Sequence, residues 1–167
     1  MRRSIDELHA GAHSRDDQVH AEISGRRDVR VWFEPGYVER TSVAELESTV
    51  QQVLARLYVD RMRAYWDLQG RVVPDPVAGP PRLMTPRREA VAEGVLGIHA
   101  EGEYGGVRLS TVGMQGFVLV LPDGVHHAFD EHGLGVAIGR AASALLDSYF
   151  QQVLRLKAQV AREAGDR

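Results

Sequence analysis

The sequence LESTVQQVL, residues 46–54, decides the fold, because a close copy of it returns later in the chain. Residues 146–154 read LDSYFQQVL, so that six of nine positions are identical and an acidic residue stands second in both. Apolar residues in the first stretch and its continuation follow i, i+4, i+7 and i+8 spacing, which predicts an amphipathic helix. Two copies of such a helix indicate that the chain contains two similar units.

A second repeat lies ahead of the helices. His20-Ala21-Glu22 returns 79 residues later as residues 99–101, and Val29-Arg30-Val31 returns 78 residues later as Val107-Arg108-Leu109. The two helix copies are 100 residues apart, so the second unit is predicted to hold about 22 extra residues. The histidine-rich stretch at 120–135 is the predicted insertion.

The first unit is predicted to begin with a polar helix over residues 4–19, opened by a capping-box pair. Three short strands are predicted to follow, in AEISG (21–25), DVRVWFEP (28–35) and GYVERTSV (36–43). Apolar and polar residues alternate in the middle strand, with the period of a half-buried strand. Ser42 then caps a long helix that ends before Gly70.

The second unit follows a proline-rich linker. Residues 70–86 hold five of the seven prolines, and proline lacks an amide donor, so neither a buried strand nor a helix is expected there. A short helix is predicted over residues 87–95, with Pro86 at its first position. Three strands and a final helix are predicted in LGIHAEGEY (96–104), GVRLSTV (106–112), QGFVLVLPD (115–123) and residues 135–164.

These patterns predict an α+β fold of two α-β-β-β-α units, residues 1–69 and 87–167, each an antiparallel meander followed by a long helix. A lone three-stranded sheet has one face to bury and two open edges, so it needs a partner. The second unit supplies that partner within the chain. We therefore expect an intrachain pseudo-dimer.

The composition is that of a globular protein, with 44% apolar and 26% charged residues in a chain of 167. Cysteine is absent, which excludes disulfides, thiolate metal sites and cysteine nucleophiles. No apolar stretch approaches the ~20 residues that a membrane span needs, so a cytoplasmic protein without a membrane partner is expected. The net charge is −3 and the arginines are scattered, which argues against strong electrostatic binding of DNA.

The order of helix, three-stranded meander and long helix resembles the YbaB/EbfC-like family. In the second unit the resemblance rests on the hairpin residues 101–109 and 116–120 and on the helix from Ile138 to Leu156. In the first unit it rests on residues 29–31 and 36–38 and on the helix from Val43.

The resemblance implies a small bacterial protein that dimerises and binds DNA in the nucleoid. Some actinobacterial relatives look like accessory proteins of secretion systems that bind other proteins, which implies a second function. Three features depart from the family: the fusion of two units, the short amino-terminal helices and the stretch 120–135.

Four arginines are the candidate DNA contacts: Arg26, Arg27, Arg30 and Arg108. Arg30 and Arg108 fall at equivalent places in the repeat, so a pseudo-two-fold axis would present them to phosphates on both sides of a groove. Alternatively, each arginine forms a surface ion pair with a neighbouring glutamate such as Glu22 or Glu101.

Three aromatic residues are the candidate protein interface: Trp32, Tyr65 and Trp66. Trp32 falls on the strand face opposite Val31 and Phe33, which leaves a large ring exposed unless something covers it. Packing against the helix of the other unit is the alternative. A protein partner or a homo-oligomer is the corresponding expectation.

Four residues are weak candidates for a metal site, because imidazole and carboxylate groups lie close together in the sequence: His126, His127, Asp130 and His132. A solvated loop before a helix is the preferred explanation, with Asp130 or Glu131 near the favourable amino-terminal end of that helix. No phosphate loop and no GxSxG motif is present, so neither a cofactor nor an enzymatic activity is expected.

Overall fold

The computed structural model describes residues 5–72 and 85–165; the side chains of Trp66 and of residues 69–72 lie outside what it describes. The first unit contains strands β1 (His9–His13), β2 (Val19–Ser24) and β3 (Asp28–Phe33), a short helix α1 (Tyr37–Arg40) and a long helix α2 (Val43–Val72). The second contains helix α3 (Pro86–Leu96), strands β4 (His99–Tyr104), β5 (Val107–Val112) and β6 (Phe117–Val120), a short helix α4 (Val125–Ala128) and a long helix α5 (Glu131–Gly165).

The strands form two antiparallel sheets, in the orders β1-β2-β3 and β4-β5-β6. The predicted fold class is confirmed: a mixed α+β structure in which each three-stranded meander is followed by a long helix. Helix α2 begins after Ser42, whose hydroxyl accepts from the Glu45 amide at 3.3 Å, as its N-cap role predicts. Helix α3 has Pro86 at its start and is capped by Thr85, which agrees with the predicted short helix.

Each long helix contacts both sheets. Helix α5 packs on β4 and β5 of its own sheet and on β3 of the other, whereas α2 packs on β1 and β2 and on β6 of the other. The inward faces of the sheets and helices form one apolar core, in which Leu46, Val50, Ile138 and Leu145 are among the most deeply buried residues. The two units therefore fold around a shared core, as a pseudo-dimer within one chain.

The contact between α5 and β3 is made by the backbones themselves. A Cβ atom added at Gly135 would lie 2.4 Å from the carbonyl oxygen of Val31, and one at Gly139 would lie 2.7 Å from that of Val29. These distances leave no room for a side chain, so glycine is required at both positions. The amide of Val29 also donates to the Ser143 hydroxyl of α5 at 3.1 Å.

The contact between α2 and β6 is made by polar side chains. The amide of Leu119 donates to Gln51 Oε1 at 2.8 Å, and the amide of Leu121 donates to Glu47 Oε1 at 3.0 Å. Both donors belong to buried residues, and a buried amide without an acceptor costs about 1–3 kcal/mol. The last strand of each sheet is thus completed by the long helix of the other unit.

The predicted helix at residues 4–19 is wrong, because β1 occupies His9–His13. The inward side chains of this strand include Ala10 and Ala12, which are too small to give a visible apolar alternation in HAGAH. The following turn is held by Ser14, whose hydroxyl accepts from the Gln18 and Val19 amides at 3.0 and 2.9 Å. Residues 9–13 are thus a strand because they pair with β2 across this turn, and not because of their own apolar pattern.

The predicted third strand at GYVERTSV is also wrong, because Tyr37–Arg40 form α1. Gly36 adopts a φ of 77°, which turns the chain into this helix. Residues other than glycine rarely adopt such a positive φ. Glu131 of α5 fixes the turn, since its carboxylate accepts from the amides of Gly36 at 2.9 Å and Val38 at 3.0 Å. This long-range contact has no local sequence signal.

The predicted insertion at 120–135 is not present as an insertion. Apart from helix α3, each element of the second unit begins 88 to 90 residues after its counterpart, as the pairs His9 and His99, Val19 and Val107, Asp28 and Phe117, and Val43 and Glu131 show. The stretch from β6 to α5 holds the short helix α4, which corresponds to α1 and likewise follows a glycine with positive φ, Gly124. Of the predicted linker, 70–86, residues 70–72 belong to α2 and Pro86 belongs to α3. Residues 73–84 lie outside the described part of the chain.

The repeats that suggested a duplication are therefore not structural counterparts. His20-Ala21-Glu22 lies in β2, whereas residues 99–101 lie in β4. The two QQVL stretches lie about 12 residues out of structural register, since α2 and α5 begin 88 residues apart. At that offset Leu46, Val50 and Leu57 correspond to buried residues of α5, namely Leu134, Ile138 and Leu145.

Substitution of Gly135 tests the backbone contact between the units. In an isolated helix Gly→Ala would stabilise by about 1 kcal/mol. Here the added methyl group meets the Val31 carbonyl, so we expect Gly135→Ala to lower the free energy of unfolding by about 1–3 kcal/mol. Urea denaturation measures the change. Gly116→Ala is the control, because a Cβ atom there meets nothing within 4 Å. A stabilised Gly135→Ala variant would contradict the contact.

Because of Tyr149 of α5, we expect the free energy of unfolding to fall at alkaline pH. Burial first, then the nearby Tyr58 and a hydrogen bond with it, raise the pKa of Tyr149 from 10.0 to about 12. Because the folded-state pKa lies above that of the unfolded chain, this contribution is complete below pH 10 and is lost as the pH rises through 12. We expect urea midpoints to fall between these pH values, and to fall less in Tyr149→Phe. An equal fall in both proteins would refute the assignment.

Candidate functional site

Three valines are exposed together on the outer face of the second sheet. Val112, Val118 and Val120 are 44, 57 and 43% exposed, and we call them the valine strip. Val118 pairs in register with Ser110 of β5, so that Val112, two residues further along β5, is its diagonal neighbour. Val118 and Val120 are two residues apart on β6 and point to the same side. The strip is therefore contiguous across the two strands.

Charged side chains border the valine strip. Glu101 and Glu103 of β4 point to the same face, and Glu103 is in register with Arg108, which is in register with Val120. These residues and Ser110 line an open depression of about 350 Å³. The face thus offers an apolar strip on one side and two carboxylates on the other, with a single guanidinium between them.

The free edge of β6 is less accessible to a partner than the outer face of the sheet. The amides of Leu119 and Leu121 already donate to Gln51 and Glu47 of α2. A new strand pairing with β6 would have to break both hydrogen bonds. A partner is therefore expected to bind the face of this sheet through side chains.

The outer face of the first sheet has a different character. Trp32 is 43% exposed, on the side of β3 opposite Val31 and Phe33, as predicted. Its ring stacks on His20 of the neighbouring strand, with ring centroids 5.4 Å apart. His20 also lies 2.9 Å from the Glu34 carboxylate. This face is polar and aromatic, without an aliphatic strip.

No protein-family model, curated protein or solved structure matches the chain. In residues 5–72 and 85–165, no helix combines the length and the apolar character that crossing a bilayer requires. The site is therefore interpreted from its own geometry.

The candidate DNA contacts do not form a symmetric pair. Arg30 lies on β3 and Arg108 on β5, so the predicted equivalence of these two residues is wrong. Arg30 lies 3.9 Å from the carboxylate of Glu22, which is the ion pair that the sequence offered as the alternative. Arg108 stands between Glu103 and Val120 on the outer face of the second sheet.

The other two arginines lie in the turn between β2 and β3. Arg27 is paired with Asp147 of α5, and the carbonyl oxygen of Arg26 accepts from Arg61 at 3.0 Å. Both side chains are exposed. The four candidates are thus spread over a turn and two strands of different sheets.

The remaining aromatic candidates lie on α2. Burial lowers the pKa of the Arg61 guanidinium, and the half-buried Tyr65 opposes that shift. The side chain of Trp66 lies outside the described residues, so its part in an interface stays a prediction.

The histidine-rich stretch forms helix ends. His126 and His127 belong to α4, and His132 is exposed in the first turn of α5. Asp130 caps α5, since its carboxylate accepts from the Gly133 amide at 2.5 Å. In the described part of the chain, no group of three histidine or acidic residues is placed to hold a metal ion.

Sequence reasoning missed the valine strip. Residues 117–120 read FVLV, and a run of four apolar residues does not reveal which of them face outward. Only the buried neighbours Leu119 and Leu121 settle the direction. For Arg108 the sequence does carry a signal. Apolar and polar residues alternate in β5, so that Val107 and Leu109 point inward and Arg108 points outward.

Zinc titration tests the histidine-rich stretch. We expect zinc at one equivalent to leave the melting temperature within about 1 °C of the metal-free value, because a ligand that does not bind the native state does not stabilise it. Differential scanning calorimetry measures this. A larger rise that His132→Ala abolishes would establish a metal site there.

Proposed function

We propose that the protein is a non-enzymatic protein-binding module, and that the outer face of the second sheet receives an amphipathic helix of a partner. The observation that carries this proposal is the valine strip. Aliphatic side chains of the partner would cover Val112, Val118 and Val120, and its lysines or arginines would lie against Glu101 and Glu103. Charge complementarity with the two glutamates selects a basic helix over an acidic one.

The expected affinity is modest. The three valines are about half exposed, so covering them contributes on the order of 2–4 kcal/mol. Association costs several kcal/mol of lost freedom, so the rim contacts at Glu101 and Glu103 and the partner's own apolar surface must add to this. Such a surface suits a transient complex.

The DNA-binding function that the YbaB/EbfC resemblance implies is less well supported by these contacts. Of the four candidate arginines, Arg27 and Arg30 already have carboxylate partners. A phosphate approaching Arg108 would also meet Glu101 and Glu103 on the same face. The net charge of −3 adds a general repulsion.

A model peptide tests the proposal directly. The probe is a labelled 20-residue amphipathic helix of leucine and lysine, and its counterpart has glutamate in place of lysine. We expect saturable binding of the lysine peptide by fluorescence anisotropy, and at least about tenfold weaker binding by Val118→Lys, which removes apolar contact and adds a repelling charge. The glutamate peptide should bind much more weakly than the lysine peptide.

The matched control is Val59→Lys, because Val59 is a valine of similar exposure on α2. It should bind the lysine peptide like the wild type. Equal binding by Val118→Lys and Val59→Lys would overturn the proposed surface. A gel shift of DNA at ~50 mM salt that Arg108→Glu abolishes would favour the nucleic-acid function instead. A concentration-dependent dimer that Val118→Lys dissociates would identify a second copy as the occupant.

A further inference from the structure

Strand β1 is the outer strand of the first sheet, and in residues 5–72 and 85–165 no other strand pairs with its far edge. The Ser14 amide, just after the strand, donates to the Val19 carbonyl oxygen of β2 at 2.8 Å. In an antiparallel ladder, residues bonded to the neighbouring strand alternate with residues whose amide and carbonyl groups point away from it. The backbone groups of His9, Gly11 and His13 therefore point to this far edge, which we call the β1 edge.

A groove of about 500 Å³ lies between the β1 edge and helix α2. Val59, which is 47% exposed, and Asp60 lie in its wall on the α2 side, and Gly11 lies in its wall on the strand side. Arg56 of α2 donates to the His13 carbonyl oxygen at 3.2 Å. A carbonyl oxygen has two lone pairs, so this contact leaves His13 able to accept a second hydrogen bond.

The sequence of β1 lacks the side chains that usually protect a sheet edge. Lysine, other charged residues and proline keep edge strands from pairing with another chain. Residues 9–13 read His-Ala-Gly-Ala-His, which includes none of these. Strand β4, which begins 90 residues after β1, carries Glu101 and Glu103 where β1 has Gly11 and His13. Two copies of β4 would bring these carboxylates together, whereas two copies of β1 would not.

Residues 9–13 read the same in both directions, so a second copy presents the same strand in reverse. In an antiparallel pairing around a two-fold axis at Gly11, Gly11 faces Gly11 of the second copy and His9 faces its His13. These are the residues whose backbone groups point outward, so all of those groups find partners in one register. On the inner side, alanine faces alanine, without steric conflict.

We propose that the β1 edge is a dimer interface, at which two copies of this chain join their first sheets into one six-stranded antiparallel sheet. The joined sheet brings the α2 helices of both copies to the groove, where they cover Val59. The groove wall carries both signs of charge, Asp60 with Arg56 and Arg63, so that each copy offers the other an opposite charge.

The assembly ends at two copies. The outer strands of the joined sheet are the two β3 strands, and α5 lies along each of them. A Cβ atom at Gly135 of α5 would lie 2.4 Å from the Val31 carbonyl oxygen, and the Val29 amide donates to Ser143. Neither outer strand therefore accepts a further copy, and the two-fold interface closes the assembly.

Charge substitution at Gly11 tests the interface. A Cβ atom there meets only the Ala21 carbonyl oxygen, at 3.7 Å, so we expect Gly11→Glu and Gly11→Lys to fold with unchanged melting temperatures. Analytical ultracentrifugation at about pH 8, above the range in which histidine ordinarily titrates, should show a concentration-dependent dimer of the wild type. Each variant should dimerise at least about tenfold more weakly, because like charges face each other across the axis. An equal mixture of the two variants should restore the dimer.

Two controls separate the β1 edge from other surfaces. Gly116→Glu adds the same charge where a Cβ atom meets nothing within 4 Å, and it should dimerise like the wild type. Val118→Lys alters the valine strip on the other sheet and should also leave this dimer intact, so the two proposals fail independently. A dimer that Val118→Lys dissociates while Gly11→Glu does not would overturn the β1 interface.

Amide hydrogen exchange gives a readout on the unaltered chain. The Gly11 amide should exchange more slowly as the protein concentration rises, whereas the Ala10 amide, which faces β2, should not respond. A dimer that leaves the exchange of Gly11 unchanged would overturn the proposal. A wild type that stays monomeric up to about 1 mM would also overturn it, and would favour a strand of a different protein as the occupant of this edge.

Discussion

The structure depends on the packing of each long helix against both sheets, its own and the last strand of the other. A three-stranded meander leaves the last strand with unpaired backbone groups, and in this chain the long helix of the opposite unit lies along that strand. Gln51 of α2 accepts from the Leu119 amide of β6 and Glu47 from the Leu121 amide just after it, and Ser143 of α5 accepts from the Val29 amide of β3. Without these contacts each sheet would expose both a face and an edge, so neither half is expected to fold alone.

This arrangement determines which surfaces remain for function. The inner faces and the last strands are used in folding, and the outer faces are left. Their residues differ although the backbones correspond: Trp32 and His20 stack on the first sheet, while valines and glutamates occupy the second. A pseudo-symmetric fold thus presents two chemically different faces, and only the second has the aliphatic character of a docking surface.

The sequence predicted the features that depend on strong periodicity and left out those that depend on distant contacts. The long helices, the β2–β3 hairpin and the three strands of the second unit follow from apolar spacing and turn residues. Strand β1 was missed because alanine carries little apolar signal, and α1 because its turn is held by Glu131, far away in the sequence. The short identities HAE and QQVL indicated the correct two-unit layout in the wrong register, since equivalent buried positions such as Val50 and Ile138 share apolar character without being identical.

The glycines of α5 have a consequence for how the two halves recognise each other. At the structural offset of 88 residues, Gly135 and Gly139 correspond to Glu47 and Gln51 of α2. A pair of first units would drive glutamate and glutamine side chains into a space where even a Cβ atom meets the strand backbone. A pair of second units would leave the amides of Leu119 and Leu121 facing glycine, without acceptors. Each half therefore packs well against the other half and poorly against a second copy of itself. A single chain supplies the two different halves in a fixed one-to-one ratio.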